Sequence, residues 1–271
     1  MNRLDRVRRR EAELREEARA RTPVKVGWLF AKETSSVVYF PPERHRSAET
    51  SKTHAKSASR CPAILNMESR YFAVRCPFDL HLKFVRGEKN APGVRNMLGD
   101  KSPVRRKKLG ELVHMVSEAE WRYPDRPTLQ VSLPYLFIAD EPVQMSQVDA
   151  FMDYRKTPLP GTIFGGRFPI DIWPRPLMWA FEWCEPEKDL ILKRGDPWFY
   201  VMFEAANPAR PVQLIEAART PELDRYLDEI SAAVNYTNQT FSLFEEARRR
   251  RPATLLTPLK RSQAGQTTRK P

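Results

Sequence analysis

The chain has 271 residues, 41% of them hydrophobic and 10% aromatic, and a formal net charge of +12. This composition supplies enough apolar surface for one large domain or two modest ones. No apolar run approaches the ~18 residues of a membrane span, and the N-terminal stretch lacks the apolar segment of a secretory signal. Three cysteines without a Cys-x-x-Cys pair argue against a disulfide framework. We therefore expect a cytoplasmic protein with no membrane partner.

Proline is frequent relative to glycine, with 24 Pro and 10 Gly. Proline fixes φ and removes an amide donor, so this balance favours short strands and ordered loops over long helices. Neither of the common glycine-rich nucleotide loops, G-x-G-x-x-G and G-x-x-x-x-G-K-[ST], is present. The sequence indicates no particular cofactor and leaves open whether the protein is an enzyme.

In chain order, the first predicted element is a charged N-terminal helix or extension over residues 1–22, with eight Arg and five acidic residues. β-branched and aromatic residues then predict a hairpin of strands at 24–30 and 36–40. The polar stretch 41–60 predicts a long loop. Residues 69–84 alternate between apolar and polar side chains near their end, which is typical of a half-buried strand.

Further strands follow before the sequence changes period. Residues 128–140 are apolar, and Pro134 within them predicts an edge strand or a bend. Residues 189–204 contain two apolar runs around a Gly-Asp-Pro turn, which predicts a hairpin. Thr220 followed by proline is typical of a helix start, and apolar residues recur at helical spacing behind it.

These elements predict a mainly β fold, sandwich or jelly-roll-like, with one or two C-terminal helices. An α+β open sheet is the alternative. Four divisions are expected along the chain: the N-terminal helix or extension at 1–22, a β-rich core domain at 23–213, a helical segment packed on the core at 214–251, and a disordered basic tail at 252–271.

Two stretches share the pattern Arg-x-Pro-apolar-Asp-apolar-ring: "RCPFDLH" (75–81) and "RFPIDIW" (167–173). Proline pushes the residue before it towards an extended conformation, so each copy resembles the start of a strand. The arginine stands four residues before the aspartate and could pair with it at the rim of the sheet. An internal duplication is less favoured, because the similarity ends after about seven residues and repeats have longer periods.

Asp79 and His81 lie two residues apart, so a strand would place both side chains on one face. Jelly-roll metal enzymes hold iron with a comparable pair and a distant histidine, usually in the opposite order. A metal-dependent, oxygenase-like enzyme with Asp79 and His81 as ligands is therefore one functional alternative. The competing interpretation is plain strand alternation.

The densest aromatic segment, "WPRPLMWAFEW" (173–183), holds three of the six Trp. Aromatic walls with a few polar groups are typical of ligand pockets, and Trp and Arg are common anchors of protein interfaces. The main functional hypothesis is a non-enzymatic binding or assembly protein that contacts another protein through this Trp/Arg patch. The candidate binding residues are Arg167, Asp171, Trp173, Arg175, Trp179, Glu182 and Trp183. The alternative is a Trp-rich core with arginine stacked at its edge.

A further alternative is nucleic-acid binding through the basic termini. Residues 248–271 contain eight Lys/Arg and no acid, and such a run can contact phosphates. No aromatic residues are interleaved and no nucleic-acid fold signature is present, so a solvated tail is the competing interpretation. A second basic stretch lies inside the chain at 83–108, where nine Lys/Arg accompany Glu88 and Asp100.

The segments "CPFDLHLKF", "GGRFPIDIWPRPLMWAFEW" and "RGDPWFYVMFE" resemble a family of bacterial and phage proteins with no established function. The resemblance covers roughly residues 24–250 and leaves out both charged ends. It implies an intracellular or virion-associated protein and assigns no site residues.

Overall fold

The computed structural model describes residues 22–31, 37–46, 61–153, 158–235 and 239–259. Nearly all of the predicted N-terminal helix or extension, most of the predicted long loop and the end of the predicted basic tail lie outside the described residues. The described chain is mainly β with helices at its C-terminal end. The predicted class, mainly β with C-terminal helices, is therefore confirmed.

Short strands dominate the chain, as the proline content predicts. In order they are β1 (Val24–Phe30), β2 (Glu43–Arg44), β3 (Tyr71–Arg75), β4 (Leu80–Arg86), β5 (Pro92–Asn96), β6 (Val113–Met115), β7 (Thr128–Ser132), β8 (Tyr135–Ala139), β9 (Val143–Asp149), β10 (Gly161–Ile163), β11 (Gly166–Pro169), β12 (Met178–Trp183), β13 (Leu190–Leu192), β14 (Pro197–Ala205) and β15 (Val212–Glu216). The helices are α1 (Pro62–Glu68), α2 (Arg106–Leu112), α3 (Pro221–Ala233) and α4 (Thr240–Arg250), and short 3-10 turns lie at Glu88–Asn90, Gly99–Lys101 and Glu118–Glu120.

The described strands form four sheets. Their strand orders are β15-β1-β8, β10-β12-β7-β6, β11-β9-β14-β3-β2 and β13-β4-β5. Strands β1 and β15 run parallel, and the other described neighbours run antiparallel. Pro134 marks a bend, as predicted, because the chain passes there from β7 in one sheet to β8 in another.

Both predicted hairpins are wrong. β1 pairs with β8 and β15, and residues 37–40 form no strand. β13 pairs with β4, whereas β14 pairs with β9 and β3 in a different sheet. A turn between them is present, since the Asp196 N–H donates to the Lys193 carbonyl at 3.2 Å. Turn residues specify where the chain reverses, but burial of the apolar faces decides which strands pair.

All four sheets contribute side chains to one large core. Leu82, Phe137, Trp179 and Phe199 each come from a different sheet, and none is more than 1% exposed. The predicted sandwich or jelly-roll arrangement would place the core between two sheets. In the structure, four short sheets enclose the core instead. The many prolines are consistent with this arrangement, because they end strands and bend the chain between sheets.

A second, smaller core covers the outer face of the sheet β15-β1-β8. Leu136 and Ile138 of β8 pack there against Leu223 of α3, Ala247 of α4 and Leu255. Side chains of a strand alternate between its two faces. β8 is therefore buried on both sides, as its continuous apolar sequence requires.

Helix α3 begins where the sequence predicts it. The Thr220 hydroxyl accepts a hydrogen bond from the Leu223 N–H at 3.2 Å, and Pro221 occupies the first helical position. The predicted helical segment 214–251 nevertheless starts too early, because residues through Glu216 form β15 beside β1.

A packed strap, residues 252–259, follows the last helix. The Asp140 carboxylate accepts hydrogen bonds from the backbone N–H groups of Leu255 at 2.6 Å and Leu256 at 3.1 Å. Both leucine side chains are buried in the second core. The prediction of a disordered tail from residue 252 is therefore wrong for the strap, because two apolar residues within a polar sequence are enough to anchor it.

Gly161 is required by the close approach of β10 to β12. A Cβ at this position would lie 2.0 Å from the Glu182 carbonyl oxygen and 3.0 Å from the Cys184 nitrogen. We expect Gly161→Ala to lower the free energy of unfolding by at least about 1–3 kcal/mol, the usual effect of overpacking, as measured by urea denaturation. Gly166→Ala is the control, because nothing lies within 4 Å of a Cβ there. An equal loss in both variants would contradict the steric explanation.

Candidate nucleic-acid interface

The two copies of the repeated arginine–proline–aspartate pattern form corners of the chain. Residues 76–79 connect β3 to β4, and the second copy lies where β11 ends in a turn. In each corner the aspartate accepts a hydrogen bond from a distant backbone N–H. Asp79 accepts from Arg194 at 2.8 Å, and Asp171 accepts from Val143 at 3.3 Å. The shared role of the two aspartates is therefore to fasten a corner of the fold.

The predicted ion pair within each copy is wrong. Arg75 pairs with Glu43 at 3.1 Å and donates to the Gly195 carbonyl at 2.8 Å. Arg167 pairs with Glu204 at 2.9 Å. The chain changes direction between the arginine and the aspartate of each copy, so the two side chains do not share the face of one straight strand.

Asp171, Trp173 and Arg175 lie where the sheets meet the C-terminal helices. Burial raises the pKa of Asp171. Trp173 is buried against Phe244 of α4, with ring centroids 5.9 Å apart, and the Arg175 guanidinium lies 5.2 Å from the Trp173 ring centroid. These contacts are internal to the protein and hold helix α4 in place.

Trp179 and Trp183 lie in the large core, and both are 0% exposed. Trp179 stacks on Phe181, with ring centroids 4.9 Å apart. Trp183 donates its indole N–H to the Lys188 carbonyl at 3.0 Å. Neither indole ring is accessible to a partner.

Glu182 is also buried, with a side chain only 4% exposed. Arg122 and Arg126 approach its carboxylate at 3.7 and 3.5 Å. Each of these arginines also lies over an aromatic ring, Phe164 and Tyr123, at 4.5 and 4.4 Å from the ring centroid. The sequence did not indicate these partners, because they are distant from Glu182 in the chain.

The seven candidate residues of the predicted Trp/Arg patch therefore do not form one exposed surface. Trp173, Trp179, Glu182 and Trp183 are buried, and they are divided between two cores. This arrangement matches the alternative stated for the sequence, a Trp-rich core with arginine at its edge. The prediction of an exposed surface is corrected here, because β12 is buried on both faces over most of its length.

Among the described residues, Asp79 and His81 do not converge with another histidine. The Nε2 atom of His81 lies 2.7 Å from a carboxylate oxygen of Asp189, whereas Asp79 binds a backbone N–H. His45 lies before α1, and His114 is exposed on β6. Within the described ranges, no three metal-ligating side chains are grouped so that they could hold an ion. The fourth histidine lies outside those ranges.

The run of four arginines that ends α4 is partly engaged by the protein itself. Arg249 and Arg250 donate to Glu246 at 2.7 and 2.6 Å. Arg251 donates to the carbonyl oxygens of Asp171 at 2.6 Å and Asp140 at 2.9 Å. The C-terminal basic run is therefore not simply a set of free charges, as the interpretation from sequence alone assumed.

Seven of the nine cations in the internal basic stretch 83–108 are exposed and unpaired. Among the described residues, none of the seven forms an ion pair or a side-chain hydrogen bond, whereas Arg86 and Lys108 pair with glutamates. We call the seven the basic surface: Lys83, Lys89, Arg95, Lys101, Arg105, Arg106 and Lys107.

The cations of the basic surface lie on strands β4 and β5, on the turn and loop next to them, and at the start of helix α2. Lys83 and Arg95 are cross-strand partners in β4 and β5, and β5 is the edge strand of its sheet. The Asn96 amide donates to the Ser102 hydroxyl at 2.8 Å, which ties the following loop back to the end of β5. Leu109 of α2 is buried in the large core. The cations therefore occupy positions that folding has already fixed.

Folding does not account for the three basic residues at the start of α2. Arg105, Arg106 and Lys107 stand there with no acidic residue in the first turn and no side-chain cap. A cation near a helix N-terminus opposes the helix dipole by about 0.3–1 kcal/mol. These charges therefore reduce stability slightly, which favours a role outside the fold.

No protein-family model matches the chain, and no curated protein matches it at a significant level. The resemblance to a family of bacterial and phage proteins therefore stays a prediction. In the part of the chain that the structure describes, no helix has the length and apolar character needed to cross a membrane.

Proposed function

We propose that this protein is a β-rich binding protein whose ligand is the phosphate backbone of a nucleic acid, bound at the basic surface. The observation that carries the proposal is the set of seven exposed cations with no carboxylate partner among the described residues. Lysine and arginine contacts to phosphates supply most of the affinity in sequence-independent nucleic-acid binding.

Several arginines elsewhere in the described chain are occupied by the fold. Arg75 pairs with Glu43, Arg167 pairs with Glu204 and Arg210 pairs with Glu141. A cation that already neutralises a carboxylate contributes little field to a ligand, whereas an unpaired cation retains its full attraction for phosphate. The difference between these paired arginines and the unpaired cations of the basic surface favours the basic surface as the phosphate-binding site, rather than the net charge of the whole chain.

The Trp/Arg patch does not support a partner surface equally well. Its tryptophans are buried, and Arg167 is paired with Glu204. The strap also constrains the tail hypothesis, because only residues 260–271 remain as a candidate free basic end. The basic surface therefore replaces both sites in the proposal.

The test removes three positive charges from the start of α2. We expect the triple variant Arg105→Gln, Arg106→Gln, Lys107→Gln to bind fluorescein-labelled oligo(dT) at least about tenfold more weakly at about 50 mM salt. The slope of log affinity against log salt should become shallower by about 2, since each lost phosphate contact contributes about 0.7 for a single strand. Fluorescence anisotropy across a salt series measures both quantities.

The matched control removes the same charge from the helical side of the molecule. Arg225→Gln, Arg248→Gln, Arg249→Gln should leave affinity and slope near those of the wild type. Urea denaturation should show that the first triple variant is as stable as the wild type or slightly more stable, because it relieves the adverse helix-dipole interaction. Equal weakening by both triple variants, or loss of binding only when the chain is ended at residue 259, would contradict the proposal.

A further inference from the structure

An exposed apolar row crosses the outer face of the sheet β13-β4-β5. Ile191 is the cross-strand partner of His81, and the Met97 N–H donates to the His81 carbonyl at 2.8 Å. Ile191 is 48% exposed and Met97 44% exposed, and the side chain of His81 is 30% exposed. We call these three residues the apolar row.

Part of the basic surface lies on the same face as the apolar row. Leu80 and Leu82 of β4 point into the core, so His81 and Lys83 point outward, as the alternation of the sequence predicts. Arg95 stands opposite Lys83 in β5. Two residues on one face of a strand lie about 7 Å apart along it, so each cation stands one such step along its strand from the apolar row.

Neither of two carboxylates on this face, those of Asp189 and Asp79, pairs with Lys83 or Arg95. Asp189 is hydrogen-bonded to His81, and Asp79 accepts the backbone N–H of Arg194. Lys83 and Arg95 form no ion pair among the described residues, so they remain available to a phosphate.

From this geometry we infer that the sheet face binds a single strand of nucleic acid in preference to a duplex. The inference rests on the proposed function and names its ligand class. Lys83 and Arg95 contact phosphates, while the apolar row contacts the exposed faces of bases and sugars. A duplex stacks its bases inside the helix and presents mainly phosphates to a flat sheet, so it cannot use the apolar row. Single-strand binding proteins combine a charged track with aromatic side chains on which bases stack. On this face the ring of His81 and the apolar side chains of Ile191 and Met97 take that place.

The test compares oligo(dT) with a blunt DNA duplex by anisotropy across a salt series. We expect Ile191→Gln, Met97→Gln to weaken oligo(dT) binding about fivefold or more at every salt concentration, without changing the salt slope. Apolar and stacking contacts do not release counterions. Their loss therefore lowers the affinity by the same factor at every salt concentration and leaves the slope of log affinity against log salt unchanged. Affinity for the duplex should stay within about twofold of the wild type.

The control is Met178→Gln, since Met178 is also 44% exposed but lies at the start of β12 in another sheet. Met178→Gln should change neither the affinity for oligo(dT) nor the affinity for the duplex. Equal affinity of the wild type for both ligands, or equal weakening of both by the double variant, would overturn the inference while the proposed function stands. Binding of neither nucleic acid would overturn both. Stronger binding to anionic lipid vesicles than to oligo(dT) would also overturn the inference, because it would assign the apolar row to a lipid surface.

Discussion

Replacing Trp179 with alanine should lower the free energy of unfolding by about 3–5 kcal/mol, the usual range for truncating a buried Trp or Phe. Trp179 is 0% exposed, stacks on Phe181 and lies 5.2 Å from the Trp198 ring centroid. Its indole N–H has no hydrogen-bond partner among the described residues, so the expected loss comes from packing. Urea denaturation monitored by circular dichroism measures it.

The neighbouring residue on the same strand provides the control. Met178 is 44% exposed, and Met178→Ala should change stability by about 0.5 kcal/mol or less, as most surface substitutions do. An interface tryptophan would behave otherwise, with nearly unchanged stability and lost partner binding. If Trp179→Ala unfolds at the same urea concentration as the wild type, Trp179 does not lie in the core, and the Trp/Arg patch is again a candidate partner surface.

Arg251→Ala should lower the free energy of unfolding by about 2–4 kcal/mol, because it leaves several carbonyls without their charged donor. The Arg251 side chain is only 17% exposed. It donates to the carbonyl oxygens of Asp171, Asp140 and Pro252 at 2.6, 2.9 and 2.9 Å. The variant should also release the strap, so limited proteolysis should remove the C-terminal end faster than in the wild type.

Arg249→Ala is the matched control for Arg251→Ala. The Arg249 side chain is 73% exposed and pairs with Glu246 of the same helix, a surface contact worth about 0–1 kcal/mol. If the two variants have the same stability and the same rate of proteolysis, Arg251 does not hold the strap.

Features specified by neighbouring residues were predicted from the sequence. Thr220 caps α3, Pro134 marks a bend between strands, and Leu80 and Leu82 face the core. Each depends on backbone preferences or on alternation over a few residues, which local sequence contains. Strand pairing was predicted wrongly, as β13 and β14 show, because the actual partners come from distant parts of the chain.

The candidate site shows the same division. Composition identified the basic stretch 83–108, but unpaired cations cannot be distinguished from a salt-bridged loop until their neighbours are known. The tryptophans of 173–183 have the composition of either an interface or a core, and burial alone separates the two. Asp189 lies 108 residues from His81, so no local pattern could have indicated their hydrogen bond.

The amino-acid order alone determined that this protein is mainly β with helices after residue 220, and that its positive charge is concentrated at its ends and in one internal stretch. Only the tertiary structure decided that Trp179 lies in the core and that Lys83, Arg95 and the start of α2 are exposed with no partner in the described part of the chain. The reason is that backbone preference acts between neighbours, whereas burial and charge pairing depend on contacts between distant segments.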